Sequence, residues 1–160
     1  MDRIFKSLKN FVSNPYYKGS LQKFYSFLLT EYLRVIVLDA DGVPLRSLDH
    51  LFLLRLPYGV HLAAPQGYWL DDYGFVHKDN SGSLCPRTAY VQVTSAFLIV
   101  EPSQALYQRA ETHFASLNVT NAHSKIKEML DMDIIHKEFG CKDEILVLPK
   151  AYGTLDSDFR

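Results

Sequence analysis

Four consecutive apolar residues, Val35-Ile36-Val37-Leu38, run directly into Asp39-Ala40-Asp41-Gly42. An unbroken, largely β-branched run of this length reads as a strand covered on both faces, as in a parallel sheet between helices. Carboxylates then follow the strand's C-terminal end, the edge at which open α/β sheets bind their ligands. Two like charges side by side disfavour each other's ionisation, and partial burial adds to the cost. A hard divalent cation removes both penalties while keeping water and substrate phosphates among its ligands. The spacing therefore predicts Asp39 and Asp41 as ligands of Mn²⁺ or Mg²⁺ carrying a phosphorylated or diphosphorylated substrate. The competing reading is a solvated turn after a strand.

The rest of the chain sets this pair in an alternating order of elements. Residues 2–12 have helical spacing and stop at Asn14-Pro15, and Ser20 opens a second helical pattern (Leu21, Phe24, Phe27, Leu28) ending near Tyr32. Ser47 is placed to cap a short helix over 48–53. Strands are expected over 60–64, 91–100 and 145–148. Pro102-Ser103 starts a helix through about Phe114. A further helix, opening at Asn121 or Ser124, runs to about Phe139 with Gly140 as its stop. Residues 66–90, rich in Gly, Tyr, Asp and Ser, read as a long functional or mobile connection. The expectation is one α/β domain over 1–160, a small and mostly parallel sheet flanked by helices.

Composition narrows the function by exclusion. With a net charge of −1 and a pI near 6.6 there is no basic field for nucleic acid. No apolar run approaches the ~20 residues of a membrane-spanning helix, and no signal peptide is visible. Cys85 and Cys141 match no metal motif and leave the compartment undecided. The sequon Asn118-Val119-Thr120 is weak evidence for a secretory lumen. His50, His61, His77, His113, His123 and His136 show no ligand spacing and are expected to be structural or surface residues.

Two chemistries use an aspartate pair at a strand end. In one, Asp39 is a nucleophile and Asp41 an acid/base, as in haloacid-dehalogenase-like phosphatases, whose strand-Asp-x-Asp-Gly start 37–43 resembles. In the other, both aspartates grip a metal on the diphosphate of a nucleotide sugar. The surroundings favour the second. Ser20 to Phe24, Leu29-Thr30-Glu31-Tyr32, the Asp-Ala-Asp and Leu48-Asp49-His50-Leu51-Phe52 together resemble glycosyltransferase family 8. So do Ala64-Pro65, Tyr68-Trp69, Thr94-Ser95-Ala96-Phe97, Val100 to Ser103, Asp131-Met132-Asp133, Leu148-Pro149 and Asp158-Phe159-Arg160. Several of these look most like the fungal branch containing N-acetylglucosaminyltransferases.

The resemblance implies a GT-A-like (nucleotide-diphospho-sugar transferase) fold, truncated here, and a metal-dependent, retaining transfer. The sugar, N-acetylglucosamine or glucose, would pass from a UDP-sugar to a glycan or protein acceptor. It implies Asp39 and Asp41 as metal ligands, Lys23 as a donor contact, and Thr94 and Ser95 beside the donor sugar. Thr94 stands where the family often has asparagine. Trp69 and Tyr68 would line the acceptor groove, and Asp131 or Asp133 would assist catalysis. A Golgi lumen follows if the chain is part of a protein of that branch, and the cytoplasm otherwise; a homo-oligomer is left open. The family's strand-helix-strand unit for uridine and its later histidine ligand have no counterpart here. The chain is thus expected to be a truncated domain, a degenerate non-catalytic sugar-binding relative, or a piece completed by a partner.

Overall fold

The computed structural model describes residues 15–67, 93–116 and 131–153. Four short strands form one sheet: β1 (Val35–Leu38), β2 (Leu62–Pro65), β3 (Phe97–Val100) and β4 (Ile145–Leu148), in the order β1-β3-β2-β4. The α/β architecture is as expected, but the sheet is mixed rather than mostly parallel. β3 runs antiparallel to β1, with Val35 opposite Val100 and Leu38 opposite Phe97, and antiparallel to β2. Only β2 and β4 are parallel, in register from Leu62↔Ile145 to Pro65↔Leu148. The cover on both faces expected for Val35–Leu38 is also not met, since β1 stands at the edge of the described sheet, half-buried and with Leu38 exposed; an apolar run alone carries no information about strand direction.

Burial on both faces is what the central strands show. Side chains alternate across a strand, and Leu98 and Val100 of β3 join Leu62 and Ala64 of β2 in a core with Phe24, Phe27, Ile135 and Phe139. Phe97, Ile99 and Ala63 face the other way, onto Leu51 and Leu148. The first face is covered by the helix Pro15–Leu28, by α1 (Gln104–Ser116) and by α2 (Asp131–Ile134) with its continuation; the second lies under the short helix Asp49–Leu53. Phe27 is fully buried and meets Phe24 and Phe139 edge to face, at ring-centroid distances of 5.4 and 6.0 Å.

Helix boundaries follow local chemistry. The helix expected from Ser20 is already formed at Pro15, the first described residue, and ends at Leu28 with 3-10 geometry. Ser103 Oγ accepts the Ala105 N–H at 3.2 Å, as its position before a helix predicts, whereas Ser47 Oγ accepts the Asp49 N–H at 3.2 Å from one residue outside the N-cap, which is Leu48. The chain does not stop at Gly140. α2 passes into a π turn, Ile135–Phe139, and a 3-10 turn, Gly140–Lys142, and the left-handed residue that ends it is Asp143, with φ 58°. Strand ends also shift: the strand expected over 60–64 is Leu62–Pro65, and that over 91–100 is Phe97–Val100. Gly59 holds φ 81° in a turn closed by the Val60 N–H on the Pro57 carbonyl, 3.0 Å. The helix expected over 2–12 and most of the 66–90 connection lie outside the described residues.

Two ionic clamps hold the layers. Arg34, just before β1, donates through Nη1 to the carbonyls of Leu51, Phe52 and Leu54 and through Nη2 to Glu101 Oε1 at 2.7 Å. Arg109 of α1 pairs with Glu138 at 3.1 Å and Glu144 at 2.6 Å, its guanidinium 4.7 Å from the Phe139 ring centroid. Beside it His113 is buried, with Nδ1 3.7 Å from Glu138 Oε2.

Two expectations follow. Phe27→Ala removes a core aromatic from between two rings and should lower unfolding stability by about 3–5 kcal/mol in a urea titration. Burial holds the His113 pKa below its ordinary 6.5, against the opposing pull of Glu138 and with the help of Lys137 and Lys142. A depressed folded-state pKa means that the unfolded chain takes up the proton first. The His113 contribution is therefore complete above pH 6.5 and is lost as pH falls through the folded value. Unfolding free energies measured from pH 7.5 downward should decline more steeply for the native chain than for His113→Gln.

Candidate functional site

Because β1 and β3 are antiparallel, the end of β1 lies beside the beginning of β3. The Asp39 N–H donates to the Ala96 carbonyl at 2.9 Å, so the aspartate pair and the Thr94-Ser95-Ala96 segment are direct neighbours. Asp39-Ala40-Asp41-Gly42 closes as a single turn, the Gly42 N–H donating to the Asp39 carbonyl at 2.9 Å. Aspartate at the first position and glycine at the fourth are favoured in such turns. A Cβ on Gly42 would stand 3.1 Å from that same carbonyl.

A cleft of about 800 Å³ opens here, and Lys23, Asp39, Asp41, Thr94, Ser95 and Asp131 all line it. Lys23 is its hub. Its Nζ donates to Asp39 Oδ1 at 2.8 Å, to the Ser95 carbonyl at 3.0 Å and to Ser95 Oγ at 3.3 Å, and it is paired with Asp131 Oδ2. Ser95 Oγ in turn donates to Asp131 Oδ2 at 2.7 Å. The Lys23 and Asp131 side chains are 7% and 8% exposed, that of Asp39 37%. Residues far apart in sequence thus share one charge-assisted network, of the kind that is strong when desolvated and fully satisfied.

Asp41 differs from its partner. It is exposed and makes no hydrogen bond or ion pair with the described residues. Thr94 is buried, and its Oγ1 accepts the Ala96 N–H at 3.1 Å, which shapes the turn that presents Ser95. Gly153 packs on the same turn, where a Cβ would meet Thr94 Cγ2 at 3.1 Å and Pro65 Cγ at 2.9 Å. Asp133 lies on the Asp131–Ile134 helix, but its side chain is not among those described. Trp69 and Tyr68 also lie outside the described residues.

Among the described residues no group of three or more His, Cys, Asp or Glu side chains is gathered to hold a metal. The residues present nonetheless fit a hard cation with few protein ligands. Asp39 and Asp41 offer carboxylate oxygens to one open cleft, and Mg²⁺-like ions commonly take one or two carboxylates, completing the shell with water and phosphate. Charge points the same way. Three lining carboxylates, Asp39, Asp41 and Asp131, face one lysine, Lys23, which leaves two negative charges for a divalent ion to balance.

One participant escaped the sequence reading, and one histidine has the structural role expected of it. The Ser95 main-chain carbonyl is a lysine ligand, and no side-chain pattern signals it. His136, expected to be structural or surface, is buried and accepts the Val93 N–H on Nε2 at 2.9 Å. Ser95, which a phosphatase of the dehalogenase type could enlist, stands between the Val93 bridge to Gln66 and β3.

In solved structures, the chain is similar to the apo structure of the WbbM bifunctional glycosyltransferase, with a TM-score of 0.56 and 15% identity over 86% of this chain and 25% of that one. The fold is GT-A-like. In sequence, the chain is 30% identical over 146 residues to glucose N-acetyltransferase 1 of Aspergillus fumigatus, and 27% identical over 142 residues to the protein of that name from Gibberella zeae. The matches take in 88% of this chain but 32% and 26% of those proteins, so it spans about a third or less of their length. No family model matches the chain. The likenesses do not single out family 8.

The network's worth can be measured. Lys23→Met strands a buried carboxylate and should cost about 3–5 kcal/mol of unfolding free energy. Adding Asp131→Asn to Lys23→Met should recover part of that loss, a coupling that a double-mutant cycle in denaturant detects.

Proposed function

We propose that the cleft binds a nucleotide-diphospho-sugar together with Mn²⁺ or Mg²⁺ and serves the transfer of its sugar to a hydroxyl of a glycan or protein acceptor. The observation that carries this reading is the Lys23 network, which joins a strand-end aspartate to a second buried acid inside a GT-A-like fold. Asp39 and Asp41 would hold the metal, which when bound supplies positive charge for the diphosphate leaving group.

The chain's own residues have separable tasks. Lys23, already desolvated, is a fixed cation on the donor side of the cleft. The Ser95 hydroxyl and Lys23 commit Asp131 Oδ2, which leaves Oδ1 to accept a hydrogen bond from the sugar and to favour positive charge developing at its anomeric carbon. The bond from that carbon to the diphosphate oxygen breaks, the bond to the acceptor oxygen forms, and the acceptor's proton leaves with the departing side or with solvent. Retention of configuration and the uridine base are carried over from the resemblance to family 8, as is N-acetylglucosamine from its fungal branch.

A second reading comes from the relatives' name, which speaks of acetyl transfer rather than sugar transfer. It would pair a glucose derivative with an acyl donor, and a metal-binding aspartate pair has no evident task in it. The location we favour is an oxidising, lumenal compartment. Cys141 is disulfide-bonded, as is usual outside the cytosol, and the sequence relatives are fungal proteins. Among the described residues no helix is long and apolar enough to cross a membrane.

Calorimetry decides between the readings. UDP should bind the chain in the presence of Mn²⁺ and not in EDTA, whereas acetyl-CoA should give no heat. Asp41→Ala, at an exposed and uncontacted position, should leave the unfolding midpoint unchanged while weakening Mn²⁺-dependent binding by roughly 10-fold or more. Metal-independent acetyl-CoA binding would overturn the sugar-transfer reading in favour of the other.

A further inference from the structure

Ser95 is the residue on which the network turns, and one helical segment holds its neighbourhood at two points. At the first, Asp131 Oδ2 receives the Ser95 hydroxyl at 2.7 Å; at the second, His136 Nε2 receives the Val93 N–H at 2.9 Å, in a buried position. Asp131 lies on α2, and His136 lies within the π turn that follows. The segment itself is held in the core by Ile134, Ile135 and Phe139, so its two polar attachments give the Val93–Ala96 turn a fixed support. π turns inside helices often occur at functional sites.

The chemistry of the second attachment is specific. A backbone N–H can only donate, so Nε2 must present its lone pair, which an imidazole protonated on both nitrogens cannot do. On the far side of Val93, Thr94 spends its N–H on the Pro65 carbonyl at 2.9 Å, and Ala96 takes the Asp39 N–H on its carbonyl at 2.9 Å. The Val93, Thr94 and Ala96 amides thus have separate acceptors: His136 Nε2, the Pro65 carbonyl and Thr94 Oγ1. Without His136 the Val93 N–H would be buried and unsatisfied, a situation the chain relieves by moving. Any movement of Val93 is passed within two residues to the carbonyl and hydroxyl that hold Lys23.

We infer that His136 is a positioning residue: its Nε2 sets the register of Val93–Ala96 so that Ser95 meets Lys23 and Asp131 in the geometry the donor requires. The last clause rests on the sugar-transfer reading of the cleft, and the first does not. His136 touches no substrate; it acts through Val93 and Ser95.

The test compares His136→Phe, which keeps a flat ring without an acceptor, with His136→Gln, whose carbonyl oxygen restores one. A second acceptor-free variant, His136→Met, keeps the comparison decisive should the phenyl ring not fit. Amide hydrogen exchange of the ligand-free full chain is read at Val93 to Ala96 and, as a reference, in β2 and β3. The expected result is about tenfold faster exchange at Val93 to Ala96 in the acceptor-free variants, with the reference amides unchanged, and recovery in His136→Gln. Mn²⁺–UDP affinity should fall about tenfold and recover in the same pattern. Unchanged exchange at Val93 to Ala96, equal acceleration in the strands, or a glutamine variant that behaves like phenylalanine would each overturn the inference. A native chain that binds no UDP, with exchange responding as described, would uphold the anchoring by His136 and remove the sugar-nucleotide reading instead.

Discussion

One buried ammonium group organises the functional half of this fold. Lys23 Nζ takes oxygens from β1's end, from the turn before β3 and from α2, three segments with no sequence proximity. Removing a lysine from water is expensive, and the cost is offset only where acceptors surround it with good geometry. Here a carbonyl, a hydroxyl and two carboxylates do so. The arrangement therefore contributes little net stability for its cost and a great deal of position: it dictates where Asp39, Ser95 and Asp131 stand relative to one another.

That position depends in turn on strand direction. An antiparallel β1–β3 pair is anchored at both of its ends, by the Asp39 N–H on Ala96 at the cleft and by Arg34 with Glu101 at the opposite end. Between the anchors the four-residue register is fixed by apolar side chains that alternate onto two cores. A slip of one residue would exchange the faces of Phe97, Leu98, Ile99 and Val100 and also withdraw Ser95 from Lys23. Hydrophobic burial and polar geometry thus enforce the same register.

How far this was legible in the sequence depends on the kind of information. The Val35–Leu38 and Ile145–Leu148 strands and the serine before Gln104 were readable because apolar runs and capping leave marks in single short windows. The helix end at Asp143 was not, since Gly140 carried the expected composition and the π turn consumed an extra residue. Strand direction was not legible either, because a two-sided apolar run looks alike in both orientations. Within the cleft, Lys23, Asp39, Asp41, Thr94, Ser95 and Asp131 were all singled out, but through the family resemblance. Local chemistry alone pointed only to the aspartates. The Ser95 carbonyl and His136 act through or upon the backbone, where residue identity says least.

The same consideration separates the two chemistries that share a strand followed by Asp-x-Asp-Gly. In a parallel sheet, residues meeting at the cleft edge all come from strand ends, and a serine placed after a second strand would face the first aspartate across a common rim. In this chain the serine arrives before an antiparallel strand, so its carbonyl as well as its hydroxyl is turned toward the lysine. That spends Lys23 on holding the turn, Asp39 and Asp131, and leaves Asp41 exposed and uncommitted among the described residues. A nucleophilic aspartate would need an open line of attack on phosphorus, whereas Asp39 has one oxygen engaged by Lys23 and Asp41 is exposed. An unequal pair of this kind suits shared hold of a cation better than division into nucleophile and acid, and strand direction, more than residue identity, is what makes the pair unequal.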